Sequence, residues 1–572
     1  MTTKRIIVER DVDIKMRDSV ILRADVYRPD ASEPVPVLLE RTPYGKSITA
    51  TAFALLAAER GYSVVIQDTR GRWASEGEDY PFIYDMDDGY DTVEWAAHQP
   101  WANGKLGMFG LSYTGYTQLA AATRRPPSLK AIVPTQTMCE PYDVTYHGGA
   151  LALAVGVTWN LVYGVFSSLA WYSGSEEQRA QLLSQVIQAT DGMSQGQTFN
   201  YLPLSDMPLI GREGFKRFFA DCIAHPLRHD DYWQRVRCPY EGLGIPALHI
   251  GGWYDIFIDS TLRDYAAIRD AGNTRQKMLI GPWVHAVFNA NAGEVDFGLQ
   301  ASDYLVLLDE IRLRWFDYWL KGIDNGIMEE EPVRIFVMGE NRWRSESAWP
   351  LARTRYVSYY LHSGGAANTL HGDGTLAPHA PSEESVDTFL YDPRNPVPTR
   401  GGGLCCWDPA LPRGAFDQRA VEARPDVLVY STSPLEQDVE VTGPIEVHLW
   451  AASSAPDTDF TAKLVDVGPC GYARNLADGI IRARYRNGSA GADPLRPGEV
   501  YAYLIDLGGT SNVFKAGHRI RLELSSSNFP RFDRNLNTGH RIGEDAAMRT
   551  ALQTVFHDAD HPSHIVLPII PR

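Results

Sequence analysis

The sequence predicts an α/β fold class: a parallel sheet with helices on both faces, interrupted by an inserted cap and followed by an all-β domain. Strand-like and helix-like segments alternate between Val35 and Phe109, which is the pattern of consecutive βαβ units. After residue 326 helical periodicity nearly disappears, and short alternating runs are separated by Gly, Pro, Asn and Asp. A chain of 572 residues is also too long for one hydrophobic core, so two or three domains are expected.

The first part of the chain contains the predicted sheet. A hairpin within residues 6–28 precedes it, and the sheet resumes at Ile245 after the insertion. A helix over Asp303–Lys321 closes this domain, because its apolar residues recur at helical spacing. The remaining predicted elements are strand Val35–Glu40, helix Ala50–Arg60, strand Ser63–Gln67, helix Asp88–His98, strand Lys105–Phe109 and strand Ala131–Pro134.

Changes of pattern mark two further regions. Residues 141–240 are helix-patterned and rich in aromatic residues, so they predict a helical cap inserted between two strands. Residues 326–572 contain runs such as Val333–Met338, Tyr356–His362 and Ile445–Leu449, which predict a β-sandwich. The predicted division is an α/β domain over 1–140 and 241–325, the cap over 141–240, and the sandwich over 326–572.

Ser112 lies in the turn between a short apolar strand and a helix-like run. A sharp strand–turn–helix reversal exposes a serine hydroxyl at the sheet edge and directs the N–H groups of the helix towards it, which is typical of a catalytic nucleophile. Gly110 and Gly115 remove side chains that would collide in so tight a turn. The alternative is a serine that only caps the helix, and Thr114 stands where the common motif has glycine.

Two later strand ends carry an acid and a base. Asp255 follows the predicted strand beginning at Pro246, and His285 follows the one beginning at Lys277. The order Ser112, Asp255, His285 is that of the α/β-hydrolase fold, in which residues beyond parallel strands meet at one rim. Separately, Asp255 could cap a helix and His285 could be an ordinary loop histidine. All three at strand ends in this order predict a catalytic triad.

Composition excludes several other classes of protein. A net charge of −17 opposes binding to nucleic acid or to an anionic membrane, and the chain has no apolar run of 18 residues. The N-terminus lacks the apolar core of a signal peptide, and six cysteines without a C-x-x-C pair indicate reduced thiols in the cytoplasm. Cys405 and Cys406 are adjacent and far from any histidine cluster, so neither a metal nor another cofactor is expected. A homodimer is compatible with the sequence, which does not determine the oligomeric state.

A resemblance to a known family extends these expectations. The chain resembles the serine hydrolases that include cocaine esterase, X-Pro dipeptidyl-peptidase and α-amino-acid ester hydrolase, with the greatest likeness to the cocaine esterase type. The resemblance covers nearly the whole chain, and in this family Tyr follows the serine and the second glycine stands three places after it. The motifs that carry it are 41–46 (RTPYGK), 67–72 (QDTRGR), 110–115 (GLSYTG), 252–255 (GWYD), 281–285 (GPWVH) and 525–539 (SSSNFPRFDRNLNTG).

The resemblance implies roles for further residues. It implies a jelly roll for the C-terminal domain, the phenol of Tyr44 as a donor to the reaction's oxyanion, and Trp159 as a cap tryptophan at the active site. The backbone N–H of Tyr113, next to the nucleophile, is the other expected donor. The amino-acid ester hydrolases have acids two and three places after the catalytic aspartate, whereas this chain has Phe257 and Ile258 there.

The predicted activity is hydrolysis of a carboxylic ester of a small molecule through an acyl-enzyme. Trp159, Phe257 and Ile258 favour an apolar or aromatic acyl group, although Glu140 and Asp143 near the cap entrance remain candidates for binding a cation. An amidase, an acylase or an X-prolyl dipeptidyl-peptidase would use the same triad. The alternative from another class is a β-sandwich ligand-binding protein whose hydrolase domain is vestigial.

Overall fold

The computed structural model describes residues 5–165, 168–169, 172–383, 385–407, 409–488 and 491–571, and two large sheets dominate it. The first sheet has ten strands, all in the part of the chain before residue 347. They are β1 (Ile6–Lys15), β2 (Ile21–Pro29), β3 (Val35–Thr42), β4 (Ser63–Asp68), β5 (Ala102–Leu111), β6 (Leu129–Thr135), β7 (Ala247–Tyr254), β8 (Gln276–Val284), β9 (Val333–Val337) and β10 (Arg342–Glu346).

The strand order in this sheet is β1-β2-β4-β3-β5-β6-β7-β8-β9-β10. Strands β3 to β9 run parallel, whereas β1, β2 and β10 are antiparallel to their neighbours at the two edges. Both faces of the sheet are covered by apolar side chains, as a mainly parallel sheet requires. The predicted fold class is confirmed, and the carboxyl ends of the parallel strands share one rim.

Helices cover both faces of the sheet and form much of the cap. Strand β5 leads directly into α3, and strand β7 is followed closely by α9. The helices are α1 (Thr51–Glu59), α2 (Asp85–Ala97), α3 (Tyr113–Thr123), α4 (Tyr142–Thr145), α5 (Leu153–Trp159), α6 (Glu176–Ser194), α7 (Phe218–Ala224), α8 (Asp231–Gln234), α9 (Ile258–Asp270), α10 (Asp303–Val306), α11 (Leu308–Phe316) and α12 (Arg419–Glu422).

The segment between β6 and β7 lies over the rim and contains α4 to α8. Its longest helix, α6, begins with a capping box: the Ser175 hydroxyl accepts from Gln178 N, and the Gln178 side chain accepts from Ser175 N. The end of α5 continues as a π-helical turn over Asn160–Val165, next to Trp159. Side chains from this segment and from the sheet share one apolar core, so the cap is packed onto the sheet.

The second sheet forms the C-terminal domain and is antiparallel apart from one short parallel contact between β12 and β14, defined below. Its longest strand, Val439–Ser453, pairs with three other strands, so the sheet folds over a common core. The strands are β11 (Arg355–His362), β12 (Thr375–Ala377), β13 (Asp387–Tyr391), β14 (Leu428–Ser431), β15 (Val439–Ser453), β16 (Asp459–Val467), β17 (Ala473–Arg482), β18 (Tyr501–Phe514), β19 (Arg519–Ser525), β20 (Ala551–Phe556) and β21 (His564–Ile570).

Two strands of the predicted sandwich region, β9 and β10, lie in the first sheet instead. Val333–Val337 was expected in the β-sandwich, but β9 pairs in parallel with β8 and extends the first sheet. Its apolar run fits either sheet, because local pattern does not identify the strand that pairs with it. The two domains also share an apolar core, and the Tyr254 hydroxyl of β7 donates to Asn475 O of β17 at 3.0 Å between them.

Candidate active site

Ser112 occupies the turn between β5 and α3 in a conformation that few residues with a side chain adopt. Its φ is 62° and its ψ is −123°. Backbone strain of this kind persists where neighbouring contacts hold it, and it is common at functional sites. Here Ser112 N donates to Thr135 O at 2.9 Å, and Thr137 Oγ1 donates to Ser112 O at 2.8 Å.

Gly110 and Thr114 are packed closely against each other in this turn. A Cβ on Gly110, whose φ is +142°, would lie 2.3 Å from Thr114 Oγ1. The threonine hydroxyl accepts from Leu111 N at 2.6 Å and donates to Leu111 O at 2.9 Å, so it closes the turn. Thr114 therefore stabilises the reversal, in the position where the common motif has glycine.

Asp255 and His285 follow neighbouring parallel strands, as predicted. Asp255 comes directly after β7 and His285 directly after β8, and both side chains are buried. His285 Nδ1 lies 2.7 Å from Asp255 Oδ1. A Nδ1–H donated to a carboxylate fixes the imidazole tautomer and leaves Nε2 with its lone pair, as a general base requires.

Two residues that sequence reasoning missed hold the backbone around His285. Gln136 Nε2 donates to Val284 O at 3.0 Å, and Gln136 Oε1 accepts from Ala286 N at 2.7 Å, so one amide brackets the histidine. Arg413, from the C-terminal domain, donates to the carbonyl oxygen of His285. Neither contact has a signal in the sequence, because both join segments that are distant along the chain.

Two other histidines near the rim are unsuited to act as the base. His249 is buried within β7, where Nε2 lies 2.8 Å from Gln276 Oε1, and burial lowers the pKa of His249 to about 4. Burial likewise lowers the pKa of His147 to about 4, and its ring packs against Phe532 at a centroid distance of 5.5 Å.

Both expected oxyanion donors lie beside Ser112. The Tyr44 hydroxyl interacts with the Ser112 side chain and accepts from Trp159 Nε1 at 3.1 Å. Burial raises the pKa of Tyr44 to about 12, so the phenol stays protonated and can donate at neutral pH. Tyr113 is the first residue of α3, and its N–H therefore has no acceptor within the helix.

A cavity of about 70 Å³ opens onto Ser112. No charged side chain is among the described residues that line it, which include Tyr44, Trp159 and Phe257. The Trp159 ring is stacked on Tyr113 at 6.1 Å between centroids, and the Phe257 ring lies 5.4 Å from that of His285. The walls nearest the serine are therefore apolar and aromatic.

The prediction for Ile258 is wrong. Ile258 is the first residue of α9 and packs into the core between the two domains, whereas Ile256 lines the cavity. The chain turns into the helix between these positions, so the side chain two residues earlier faces the serine instead. Sequence spacing from Asp255 alone does not reveal this change of direction.

Glu140 and Asp143 are engaged in ion pairs and do not line the cavity. Arg228 binds both carboxylates, and Arg263 binds Asp143 as well. Two guanidinium groups therefore neutralise the two acids that the sequence left as candidates for binding a cation. A substrate ammonium would have to displace an arginine to reach either carboxylate.

The expectation of reduced thiols fails for two of the six cysteines. Cys405 and Cys406 form a disulfide, and both line the cavity next to Ser112, whereas Cys139, Cys222, Cys238 and Cys470 are free. Composition predicts the redox state of cysteines only through the cellular compartment, and it is silent about adjacent pairs. Within the described ranges, no three His, Cys, Asp or Glu residues are grouped to hold a metal ion.

The chain is similar to known proteins over its whole length. Cocaine esterase of Rhodococcus sp. (strain MB1 Bresler) is 41% identical over 579 residues, covering 99% of this chain and 99% of the esterase. Residues 18–287 match the X-Pro dipeptidyl-peptidase (S15) family, and residues 325–566 match the X-Pro dipeptidyl-peptidase C-terminal non-catalytic domain. The chain belongs to the S15 family.

Solved structures agree with this assignment to the S15 family. An aminopeptidase from the marine sediment archaeon Thaumarchaeota archaeon superposes with a TM-score of 0.79 at 26% identity, covering 100% of this chain and 97% of the other. An α-amino acid ester hydrolase superposes with a TM-score of 0.78 at 26% identity, covering 99% and 97%. This S15 family member is a serine hydrolase. In the part of the chain that the structure describes, no helix is long and apolar enough to cross a membrane.

Proposed function

We propose that the protein hydrolyses carboxylic esters with a neutral, apolar or aromatic acyl group, through an acyl-enzyme on Ser112. The observation that carries the proposal is the lining of the cavity, which holds Ser112 and, in the described ranges, no charged side chain. The cocaine esterase that is 41% identical supports an ester substrate. The proposal includes a small-molecule substrate and a cytoplasmic location, which the four free cysteines support.

In the first half of the reaction the Ser112 hydroxyl attacks the ester carbonyl. His285 Nε2 takes the hydroxyl proton as general base, and Asp255 stabilises the imidazolium that forms. The carbonyl oxygen becomes an oxyanion, which accepts from the Tyr44 phenol and the Tyr113 N–H. His285 then returns the proton to the leaving alcohol, and the acyl group remains on Ser112 as an ester.

In the second half, water replaces the alcohol and the same groups reverse their roles. His285 takes a proton from the water, which attacks the acyl carbonyl, and the two donors stabilise a second oxyanion. Collapse of this intermediate breaks the bond to Ser112 and releases the carboxylic acid. Each proton that His285 takes is given back within the same half-reaction, so the enzyme returns to its initial state.

The runner-up is an amidase, acylase or X-prolyl dipeptidyl-peptidase. The family name and the similar aminopeptidase structure favour this alternative. Recognition of a free α-amine needs an unpaired carboxylate near the acyl group, and Arg228 and Arg263 bind the two acids that the sequence offered as candidates. The contacts of these acids therefore favour a neutral acyl group over an amino-acyl group.

Labelling with a fluorophosphonate probe tests the nucleophile. The folded wild-type chain is expected to form one adduct on Ser112, and the variant S112A is expected to form none under the same conditions. A protein that is folded by circular dichroism but carries no adduct would support the vestigial alternative. An adduct at another serine would contradict the assignment of Ser112.

A substrate panel tests the acyl preference. We expect kcat/KM for p-nitrophenyl butyrate and benzoate to exceed that for matched α-amino-acid p-nitrophenyl esters and for X-Pro p-nitroanilides. The double variant F257E/I256D, which adds acids to the cavity wall, should improve the amino-acid esters relative to the neutral ones if the variant folds. A wild-type preference for the free amine would refute the proposed acyl group.

A further inference from the structure

The Cys405–Cys406 disulfide forms part of the wall around Ser112. Both residues line the same cavity as Ser112, Trp159 and Phe257, and Cys405 is buried. Cys406 has a φ of 80°, a conformation that disfavours residues with a side chain. The chain therefore holds an adjacent cysteine pair against the acyl cavity in a locally strained backbone, although nothing in the proposed mechanism uses sulfur.

The segment that carries the pair is fixed at both ends, which limits how far the wall can move. Gly402 and Gly414 exchange two backbone hydrogen bonds of 2.7 and 3.0 Å, closing the segment into a loop. Just before the pair, a Cβ on Gly403 would lie 3.0 Å from Asp255 O, so the loop backbone rests against the catalytic acid. Just after it, Trp407 Nε1 donates to Ser194 Oγ of the cap at 3.3 Å.

The other walls next to the serine are tied to the catalytic machinery. Trp159 donates to the Tyr44 hydroxyl and is stacked on Tyr113, and Phe257 packs against the ring of His285. A change in any of these walls would disturb an oxyanion donor or the base. The loop backbone at Gly403 rests against Asp255, but among the described contacts no hydrogen bond or ring contact joins the side chains of Cys405 and Cys406 to a reacting group. A change in the state of the pair can therefore change the shape of the cavity without removing a catalytic residue.

The redox state of this pair alters the wall in a definite way. As a disulfide, the two side chains form one closed ring whose torsions are coupled. A dithiol reductant breaks the Sγ–Sγ bond: each sulfur gains one electron and one proton, and the reductant closes to its own disulfide. The two thiols then separate to non-bonded distance and rotate independently among their rotamers. The fixed wall becomes a deformable one.

We propose that the Cys405–Cys406 disulfide determines the size of acyl group that the cavity accepts, and that its reduction admits bulkier acyl groups. The inference rests on the proposed ester hydrolysis and adds a specificity-determining element to the same site. In the reducing cytoplasm that the sequence predicts, disulfides are rare and usually respond to the redox state of the cell. Oxidants and cellular dithiols therefore change the acyl preference of the enzyme.

The first test compares the oxidised protein with protein that has been treated with a dithiol and then freed of it. The readout is the ratio of kcat/KM for p-nitrophenyl benzoate to that for p-nitrophenyl acetate. We expect the ratio to rise roughly tenfold on reduction, the lower end of what one methylene of space changes in an apolar pocket. Alkylation with iodoacetamide and mass spectrometry of the 405–406 peptide counts the thiols in each sample.

Two variants complete the test. C405A/C406A lacks the disulfide permanently, so we expect the raised ratio with and without dithiol treatment. C470S removes an exposed free cysteine far along the chain and is the matched control, expected to respond to dithiol as the wild type does. Should the pair resist the dithiol, the thiol count reveals this, and the double variant then decides the outcome.

An unchanged or lower ratio in C405A/C406A, or in wild type whose two thiols have been counted, overturns the inference. Alkylation of both cysteines in protein never exposed to reductant overturns it as well, because no disulfide would then form the wall. Failure of the proposed function looks different: neither ester is hydrolysed and the fluorophosphonate leaves Ser112 unlabelled in both redox states.

Discussion

The rim of the parallel sheet and the wall of the acyl cavity are built in different ways. Ser112, Asp255 and His285 each follow a strand of one sheet directly, so the sheet places all three on the same rim. The wall is assembled from the cap, which supplies Trp159, and from a loop of the C-terminal domain, which supplies the cysteine pair. In the proposed mechanism, the sheet therefore positions the groups that react, and the added segments shape the space for the substrate.

Two aspartates, one at the rim and one behind the cavity wall, show the same contrast. Asp255, at the rim, has one histidine partner, and its Oδ2 has no hydrogen-bond partner among the residues that the structure describes. Asp143, behind the wall, binds two arginines. A carboxylate with a single titratable partner can act on that partner, whereas one held between two permanent cations can only stabilise the structure.

The largest expected effect comes from exchanging each of these two acids for its amide. D255N should lower kcat by roughly 10⁴-fold, because the amide no longer holds the imidazole tautomer that the base needs. D143N should keep kcat within about threefold of wild type but lose about 2 kcal/mol of stability, because two partly exposed arginines lose their partner. Ester kinetics and urea unfolding of the two variants measure both effects.

If D255N and D143N behaved alike, the distinction between the rim and the cavity wall would be wrong. A D143N enzyme with the kinetic loss of D255N would place Asp143 in the reaction. A D255N enzyme with near-normal kcat would mean that His285 does not depend on its carboxylate.

The next effect concerns Tyr44, where the cap contacts the rim. Y44F should lower kcat by about 10²- to 10³-fold with a smaller change in KM, because the lost hydrogen bond strengthens only as charge develops on the oxygen. The matched control is Y163F: its ring lies 5.1 Å from that of Tyr44, but Tyr163 does not line the cavity with Ser112. Y163F should retain kcat. Equal losses in both variants would make the phenol of Tyr44 structural.

The protonation of Tyr44 gives a prediction on pH. The protonated phenol is the donor, and burial raises the pKa of Tyr44 to about 12. The donor is therefore present at every pH well below 12, and kcat measured from pH 8 to 10 should show no fall caused by its ionisation. A loss of kcat centred near pH 10 that disappears in Y44F would contradict this expectation.

The smallest effect concerns a third carboxylate, Glu40, buried in β3 below the nucleophile turn. Burial raises the pKa of Glu40 from 4.5 to about 7, and Oε2 has no hydrogen-bond partner in the described ranges. Because the folded chain binds this proton more tightly than the unfolded chain, the associated stability is full below about pH 4.5 and is lost as the pH rises through 7.

E40Q keeps the shape of the protonated acid at every pH. It should exceed wild type by less than about 1 kcal/mol at pH 5 and by up to about 3 kcal/mol at pH 8, measured by urea unfolding. E59Q, at an exposed position of α1, is the matched control and should show no such difference between the two pH values. A gain for E40Q that is equal at pH 5 and pH 8 would show that ionisation of Glu40 is not its source.

Much of the rim could be predicted from the sequence, and much of the wall could not. The turn at Ser112 and the strand ends before Asp255 and His285 are local patterns, and the structure places them as predicted. The prediction that Ile258 lines the cavity is wrong, because a helix begins at this residue and turns its side chain away. The prediction that Val333–Val337 belongs to the β-sandwich is wrong, because local sequence does not identify the strand beside it in the sheet.

The residues that hold the site in place could not be predicted from local sequence patterns. Gln136 holds the backbone on both sides of His285 from another strand end, and Arg413 reaches the same residue from the second domain. The pairing of Cys405 with Cys406 is likewise invisible to composition. Such contacts arise from tertiary packing, and a single sequence carries no pattern for them.

The hydrogen bond from Arg413 to the His285 carbonyl has a consequence for when activity can appear during synthesis of the chain. Synthesis proceeds from the N-terminus, so the proposed nucleophile, acid and base emerge from the ribosome well before Gly403 and Arg413, which contact the acid and the base. The nascent chain therefore contains every reacting group before the groups that hold two of them in place. We expect hydrolytic competence to appear only after the C-terminal domain has emerged and docked.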